Sequence, residues 1–261
     1  MLGAILGDVV GSKYEFKNIK AKNFDLFTNE NCFTDDTVMT IAIADAILCG
    51  YVPDNNQGII NKIKTWGQKY PNAGYGGRFF YWVLSDEREP YNSFGNGAAM
   101  RVSPIGWISN TFEEVVKNAT AVTAITHNHP EGIKAAIVIA NSIRMARQKE
   151  SKENIIKYIK ENYNIDFDYN DLVKNFKYNE ATCQATVPQA LYCFAISKDF
   201  EDCLRTTISI GGDCDTTAAM SCAIAEALYG VPDEMAKKVY EYLDENQIDI
   251  VNRFYEKWIK N

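Results

Sequence analysis

Two short stretches place paired acids at the entrance of an apolar run. In FTDDT, residues 33–37, Asp35 and Asp36 follow Thr34 and lead into VMTIAIADAIL. In GGDCDTT, residues 211–217, Asp213 and Asp215 follow two glycines and lead, past Thr216, into AAMSCAIAEAL. A single capping side chain satisfies a helix N-terminus, so doubled acids need another reason. Residues two apart do not share a helix face. Asp213 and Asp215 therefore aim at one point only from an irregular turn, which Gly211 and Gly212 permit. Both stretches continue on one plan: acids, threonine, an alanine-rich run, glycine, then Val-Pro. That echo suggests two equivalent helix entrances facing each other. Four carboxylates converging in a core repel one another and lose hydration unless cations compensate. Oxygen donors select Mg²⁺, Mn²⁺ or Ca²⁺ over zinc, and four carboxylates balance two divalent ions. Thr34 and Thr216 would add neutral hydroxyl oxygens.

Three further stretches carry weaker signals. GAILGDVVGSKYEF, residues 3–16, sets Gly3, Gly7 and Gly11 on one helix face, and Glu15 follows where such a helix would end. The stripe reads as close helix packing. SFGNGAAMRVSPIG, residues 93–106, flanks Asn96 with Gly95 and Gly97 ahead of Ala98, an arrangement that can offer backbone amides to a phosphate. It lacks the Gly-Lys-Ser of a P-loop. THNHPEG, residues 126–132, holds both histidines of the chain. His127 is read as a substrate contact and His129 as structural or orienting.

Long runs of helical periodicity cover about 36–49, 56–69, 113–125, 131–148, 152–162, 185–197, 214–229, 233–244 and 246–259. The opening apolar stretch reads as a mature N-terminal helix, since Asp8 interrupts what would be a signal core. RFFYWVL and ATVPQALYCFAI fit buried helices as well as strands, and residues 151–182 read as loops and short helices. The fold expected is all-α, a single domain over 1–261 with no evident linker. The chain of 261 residues is 46% hydrophobic and 23% charged, with 27 basic and 34 acidic residues and a net charge of −7. That balance gives no footprint for nucleic acid, and no apolar run approaches the roughly 18 residues of a membrane span. The cysteine count is odd (seven) and no C-x-x-C pair occurs, which suits a reduced, cytoplasmic protein with buried thiols.

Taken in order, GAILGDVVGSKYE, FTDDT, GNGAAMR, THNHP and GGDCDT resemble the ADP-ribosylglycohydrolase family, which includes the dinitrogenase-reductase-activating glycohydrolases. The combination spans nearly the whole chain, and only 151–182 lacks a counterpart. The resemblance implies a compact, roughly orthogonal multi-helix bundle with a binuclear Mg²⁺ or Mn²⁺ centre in a cleft. Thr34, Asp35 and Asp36 match one set of metal ligands, and Asp213, Asp215 and Thr216 match the other. Glu15 matches a glutamate beside the metals that serves as a ligand, a gate or a general acid/base in different members, and Glu15 or Asp35 is by analogy placed to take or deliver the proton. Gly95, Asn96, Gly97, Ala98, Ala99, Met100 and Arg101 match a diphosphate-holding loop, and His127 a substrate-contacting histidine. The activity implied is removal of ADP-ribose from a modified protein or a small ADP-ribosyl compound by a monomer. The alternative is an inactive ADP-ribose-binding or crystallin-like relative, whose mark would be loss of an acidic ligand. A helical metal-dependent phosphohydrolase would need more histidines than the two present.

Overall fold

The computed structural model describes residues 1–176 and 181–259. Residues 177–180, part of the stretch expected to be loops and short helices, lie outside the described residues. The described chain is all-α, as expected. Its helices are α1 (Leu2–Ser12), α2 (Asp35–Leu48), α3 (Asn56–Lys69), α4 (Gly77–Leu84), the single turn α5 (Gly97–Met100), α6 (Ser103–Ile108), α7 (Phe112–Thr123), α8 (Pro130–Arg147), α9 (Lys152–Asn162), α10 (Tyr169–Asn175), α11 (Cys183–Ile196), α12 (Phe200–Ile210), α13 (Cys214–Tyr229), α14 (Asp233–Val239) and α15 (Glu245–Trp258). Among the described residues there is no strand, only an isolated bridge between Gly95 and Thr182.

The centre of the molecule is the pair α1 and α13. Residues 2–11 of α1 are all buried, as are residues 214–226 of α13. A Cβ on Gly3 would lie 2.2 Å from the Cys222 carbonyl oxygen, one on Gly7 2.3 Å from Ala218, and one on Gly11 2.4 Å from the Asp215 Cα. The order of these contacts makes the helices antiparallel, with the backbones touching along the glycine stripe. The end of α1 therefore meets the start of α13, and the segment carrying Glu15 is delivered to Asp213 and Asp215. At the far end the Glu226 carboxylate, buried in α13, accepts the Leu2 and Gly3 amides and the Tyr255 hydroxyl of α15.

The other entrance packs beside this pair. Residues 36–47 of α2 are buried throughout, and α2 contacts α1, α3, α13 and α15. Helix α8 lies across α13, with α5, α6 and α7 on it. Sequence periodicity left out α4, α5, α6, α10 and α12. For α12 the reason is its β-branched Thr-Thr-Ile-Ser-Ile end, a poor intrinsic helix former. Burial of Phe200, Cys203, Leu204, Thr207 and Ile208 on one face overrides that preference, and Asp199 caps the first turn. The reading of RFFYWVL as a buried helix was half correct: Phe79, Trp82 and Val83 face inward from α4, while Tyr81 and Leu84 are exposed. All cysteines are free, with Cys32 and Cys49 exposed and the other five buried. No described helix is long and apolar enough to cross a membrane.

Candidate metal centre and cleft

The entrance of α2 is built around a residue the sequence reading had not placed in the site. Asp8, fully buried in α1, accepts the Thr34 amide (2.9 Å), the Thr34 hydroxyl (2.6 Å) and the Thr37 amide (3.0 Å). One carboxylate thus occupies the role of an external cap for α2, while Thr34 itself is the N-cap. Asp36 is buried beneath it. Its Oδ2 accepts the Thr216 hydroxyl at 2.9 Å, so the two entrances do face each other. Its Oδ1 is buried with no hydrogen-bond partner. Asp35 points the other way, onto the cleft, with its amide donated to the Ala73 carbonyl at 2.7 Å.

The entrance of α13 depends on its two glycines. Gly211 and Gly212 have φ of +74° and +72°, values that side chains rarely adopt. A Cβ on Gly212 would in addition lie 2.4 Å from the Phe176 ring. Asn18 fastens the turn: its Oδ1 accepts the Gly212 amide (2.9 Å) and its Nδ2 donates to the Glu15 carbonyl (2.8 Å). Asp213 accepts a 2.6 Å hydrogen bond from Asn96 Nδ2, which ties the centre to the glycine loop.

Two groups of carboxylate oxygens result. Asp8, Asp36 and Asp215 offer oxygens within 4.8 Å of one another, as do Glu15, Asp213 and Asp215. Asp215 belongs to both, and Asp35 to neither. Burial, then repulsion from Asp213 and Asp8, pushes Glu15 up to about 7. Burial, then Asp8 and Asp213, pushes Asp35 up to about 8. Asp36 and Asp215 are driven well above the usual carboxylate range by the same two causes. Such a cluster fits a hard divalent cation. The Asp36 Oδ1 is an orphaned buried oxygen, and the Thr34 and Thr216 hydroxyls spend their protons on carboxylates, which leaves oxygen lone pairs to give.

Above this floor lies a cavity of about 500 Å³. Of the sequence-derived candidates, Glu15, Thr34, Asp35, Gly95, Asn96, Gly97, Met100, Arg101, His127, Asp213, Asp215 and Thr216 line it. Asp36 sits below the surface, and Ala98 and Ala99 are buried under the loop. The glycine loop is not the open row of amides that its sequence suggested. Gly95 N bonds to Ser93 Oγ, Asn96 N to the Ala181 carbonyl, and the amides of Ala98, Ala99 and Met100 bond within the loop. Within residues 95–100 the Gly97 amide alone has no protein partner among the described residues. Ala181 and Thr182 close one wall, pinned by Cys183 N to the Phe94 carbonyl at 2.9 Å. Gly74, Gly76, Gly77, Arg78 and Phe79 also line the cleft, whereas Tyr75 stacks on Phe80. His129 caps α8 through its Nδ1 and packs edge-on to Phe94, a structural placement.

The family sequence profile described as ADP-ribosylglycohydrolase matches residues 1–261. The chain is 27% identical to ADP-ribosylhydrolase ARH3 of Bos taurus over 88% of this chain and 84% of that one. It is 25% identical to the ADP-ribosyl-(dinitrogen reductase) glycohydrolase of Rhodospirillum rubrum, over 89% and 85% of the two chains. A solved structure named ADP-ribosylglycohydrolase-related protein complex shares the fold, with a TM-score of 0.72 at 20% identity over 98% of this chain and 95% of that one. A profile match over the full length, joined to an acid-floored helical cleft, establishes that the chain belongs to the ADP-ribosylglycohydrolase family and is an enzyme of that class.

Proposed function

We propose that residues 1–261 form one ADP-ribosylglycohydrolase domain that releases ADP-ribose from a modified protein side chain or a small ADP-ribosyl compound. The bond broken joins C1″ of the distal ribose to the leaving atom. The observation that carries this reading is the pair of carboxylate groups sharing Asp215 on the floor of the cleft. Thr34, Asp35, Asp36, Asp213, Asp215 and Thr216 would hold two Mg²⁺ or Mn²⁺ ions, with Glu15 at the rim. Bound divalent ions supply charge and an acidified water at an oxocarbenium-like reaction centre.

The protein's own groups do the rest. Asp8 orients the Thr34 hydroxyl and anchors the first turn of α2. Asn96 holds Asp213 in place from the glycine loop. Glu15, half-buried at the rim of the acidic floor, is the first candidate to pass a proton to the departing atom. Asp35 is the second candidate for proton movement, because it faces the cleft without belonging to either oxygen group. The glycine loop and His127 would take the nucleotide end of the ligand. The buried, unpaired thiols suit a reducing, cytoplasmic setting.

Release of free ADP-ribose from matched arginine-linked and serine-linked peptides, with Mg²⁺ and with chelator, tests the reading. Mg²⁺-dependent release from one peptide is expected and identifies the linkage. Folded protein that binds ADP-ribose yet releases none from either peptide or from small ADP-ribosyl compounds would overturn it in favour of a binder.

A further inference from the structure

His127 and Arg101 form a buried contact whose chemistry favours one arrangement of protons. Arg101 Nη2 lies 3.3 Å from His127 Nδ1. A guanidinium has donors and no acceptor, so a hydrogen bond between the two makes Nδ1 the accepting, unprotonated nitrogen. Thr126 Oγ1 stands 2.8 Å from the same nitrogen and can donate to it as well. The ring proton is then on Nε2. Arg101 is held hard in this position: it is 1% exposed, its Nε donates to the Gly97 carbonyl, and its guanidinium lies 5.1 Å from the Phe79 ring centre.

The Nε2 edge faces the two glycines of the loop. A Cβ on Gly97 would stand 3.2 Å from both His127 Nε2 and Arg101 Nη2, and one on Gly95 3.5 Å from Nε2. With most loop amides already paired, the Gly-Asn-Gly spacing opens the way to this N–H rather than building an amide nest.

We propose that Arg101 is a positioning residue that locks His127 as its neutral Nε2–H tautomer, making His127 a fixed hydrogen-bond donor to an acceptor oxygen of the ligand and not a proton-transfer group. The ligand half of this statement rests on the proposed function; the tautomer does not. The surroundings agree. Arg101 approaches from the end of α5, Phe79 from α4 at 6.5 Å between ring centres, and Tyr91 from the preceding loop at 6.2 Å, with the Arg78 guanidinium 4.6 Å from that tyrosine ring. Beyond the loop, the Cys183 thiol bonds to the Gly95 carbonyl and is pushed up to about 12 by burial. Tyr91 is likewise pushed up to about 12 by burial, so it stays neutral. The nearest charged group, Arg101, opposes a positive imidazole. Burial, then the Arg101 charge, holds His127 well below its ordinary value.

The chain has only two histidines, so long-range ¹H–¹⁵N spectra of the labelled, substrate-free protein resolve both rings, and His129→Gln assigns them. The expected result is a His127 ring with Nε2 protonated and Nδ1 bare, unchanged between about pH 5 and 8, where an ordinary histidine titrates. In Arg101→Met that ring should begin to titrate or mix tautomers. In turnover, His127→Gln, which keeps an N–H near the Nε2 position, should hold KM within a few-fold. His127→Asn should raise it about tenfold, the worth of one hydrogen bond, with kcat little changed. A wild-type ring carrying its proton on Nδ1, or titrating near 6.5, overturns the proposal. So does an equal collapse of kcat in both His127 variants. Because the spectra need no substrate, failure of the hydrolase reading would leave the tautomer result standing.

Discussion

Asp36→Asn is expected to make the metal-free protein more stable and at the same time to abolish its stabilisation by Mn²⁺. Asp36 is buried with one oxygen unpartnered, and its carboxyl is raised well above the usual range by burial and then by Asp8, Asp35 and Asp213. An amide of the same shape keeps an acceptor for the Thr216 hydroxyl and turns a repelling oxygen into a donor toward its acidic neighbours. The gain should be about 1–3 kcal/mol at neutral pH, the usual cost of an unsatisfied buried polar group. In the wild type, Mn²⁺ at a hundredfold its Kd adds about 2.7 kcal/mol; the variant should gain nothing. The sign of the pH dependence follows. Glu15 at about 7 and Asp35 at about 8 lie above the roughly 4 of an unfolded carboxyl, so the folded chain binds more protons in between. Metal-free stability should therefore fall as pH rises from about 4 to about 8, and saturating Mn²⁺ should flatten that slope. Thermal midpoints in chelator and in Mn²⁺ check both. A variant that is less stable in chelator and still responds to Mn²⁺ would rule out Asp36 as a metal ligand.

Gly11→Ala should cost both stability and the acidic centre. Its Cβ would lie 2.4 Å from the Asp215 Cα and 2.7 Å from the Asp215 amide nitrogen, backbone atoms that cannot swing aside. Overpacking of this kind costs on the order of 3 kcal/mol. It must also push the start of α13 off α1, carrying the carboxylate shared by both oxygen groups. A displacement of about 1 Å at a reacting centre costs on the order of a hundredfold in rate. Gly3→Ala and Gly7→Ala, which meet Cys222 and Ala218 farther along α13, should share the stability loss while perturbing ion binding less. Denaturant unfolding and Mn²⁺ titration of the three variants separate the two effects.

The two helix entrances were legible because each is a compact run of chemistry-bearing residues ahead of an amphipathic or buried helix. Their mutual approach was legible only as an echo in wording; the Thr216 to Asp36 hydrogen bond is what joins them. The glycine stripe of α1 was also readable, because a spacing of four residues defines one helix face. Asp8 shows in the sequence only as a break in an apolar run. A lone acid in a wholly buried helix is itself a signal, since burial without partners is costly. Asn18, Ala181 and Thr182 left no such trace. Asn18 works by bonding to backbone groups some 194 residues away, and Ala181 through its own carbonyl, so the residue types carry little information. The glycine loop misled in one respect: composition shows that amides can be exposed, but not that Ser93 and Ala181 already occupy two of them.

We propose that α1, α2 and α13 meet to build one centre for two divalent ions around a shared Asp215. Counting bound Mn²⁺ by paramagnetic resonance, in the wild type and in Asp215→Asn, tests it most directly. Two ions per chain, spin-coupled, and loss of both in the variant are expected. No tightly bound Mn²⁺ in the wild type, or two ions retained without Asp215, would contradict it.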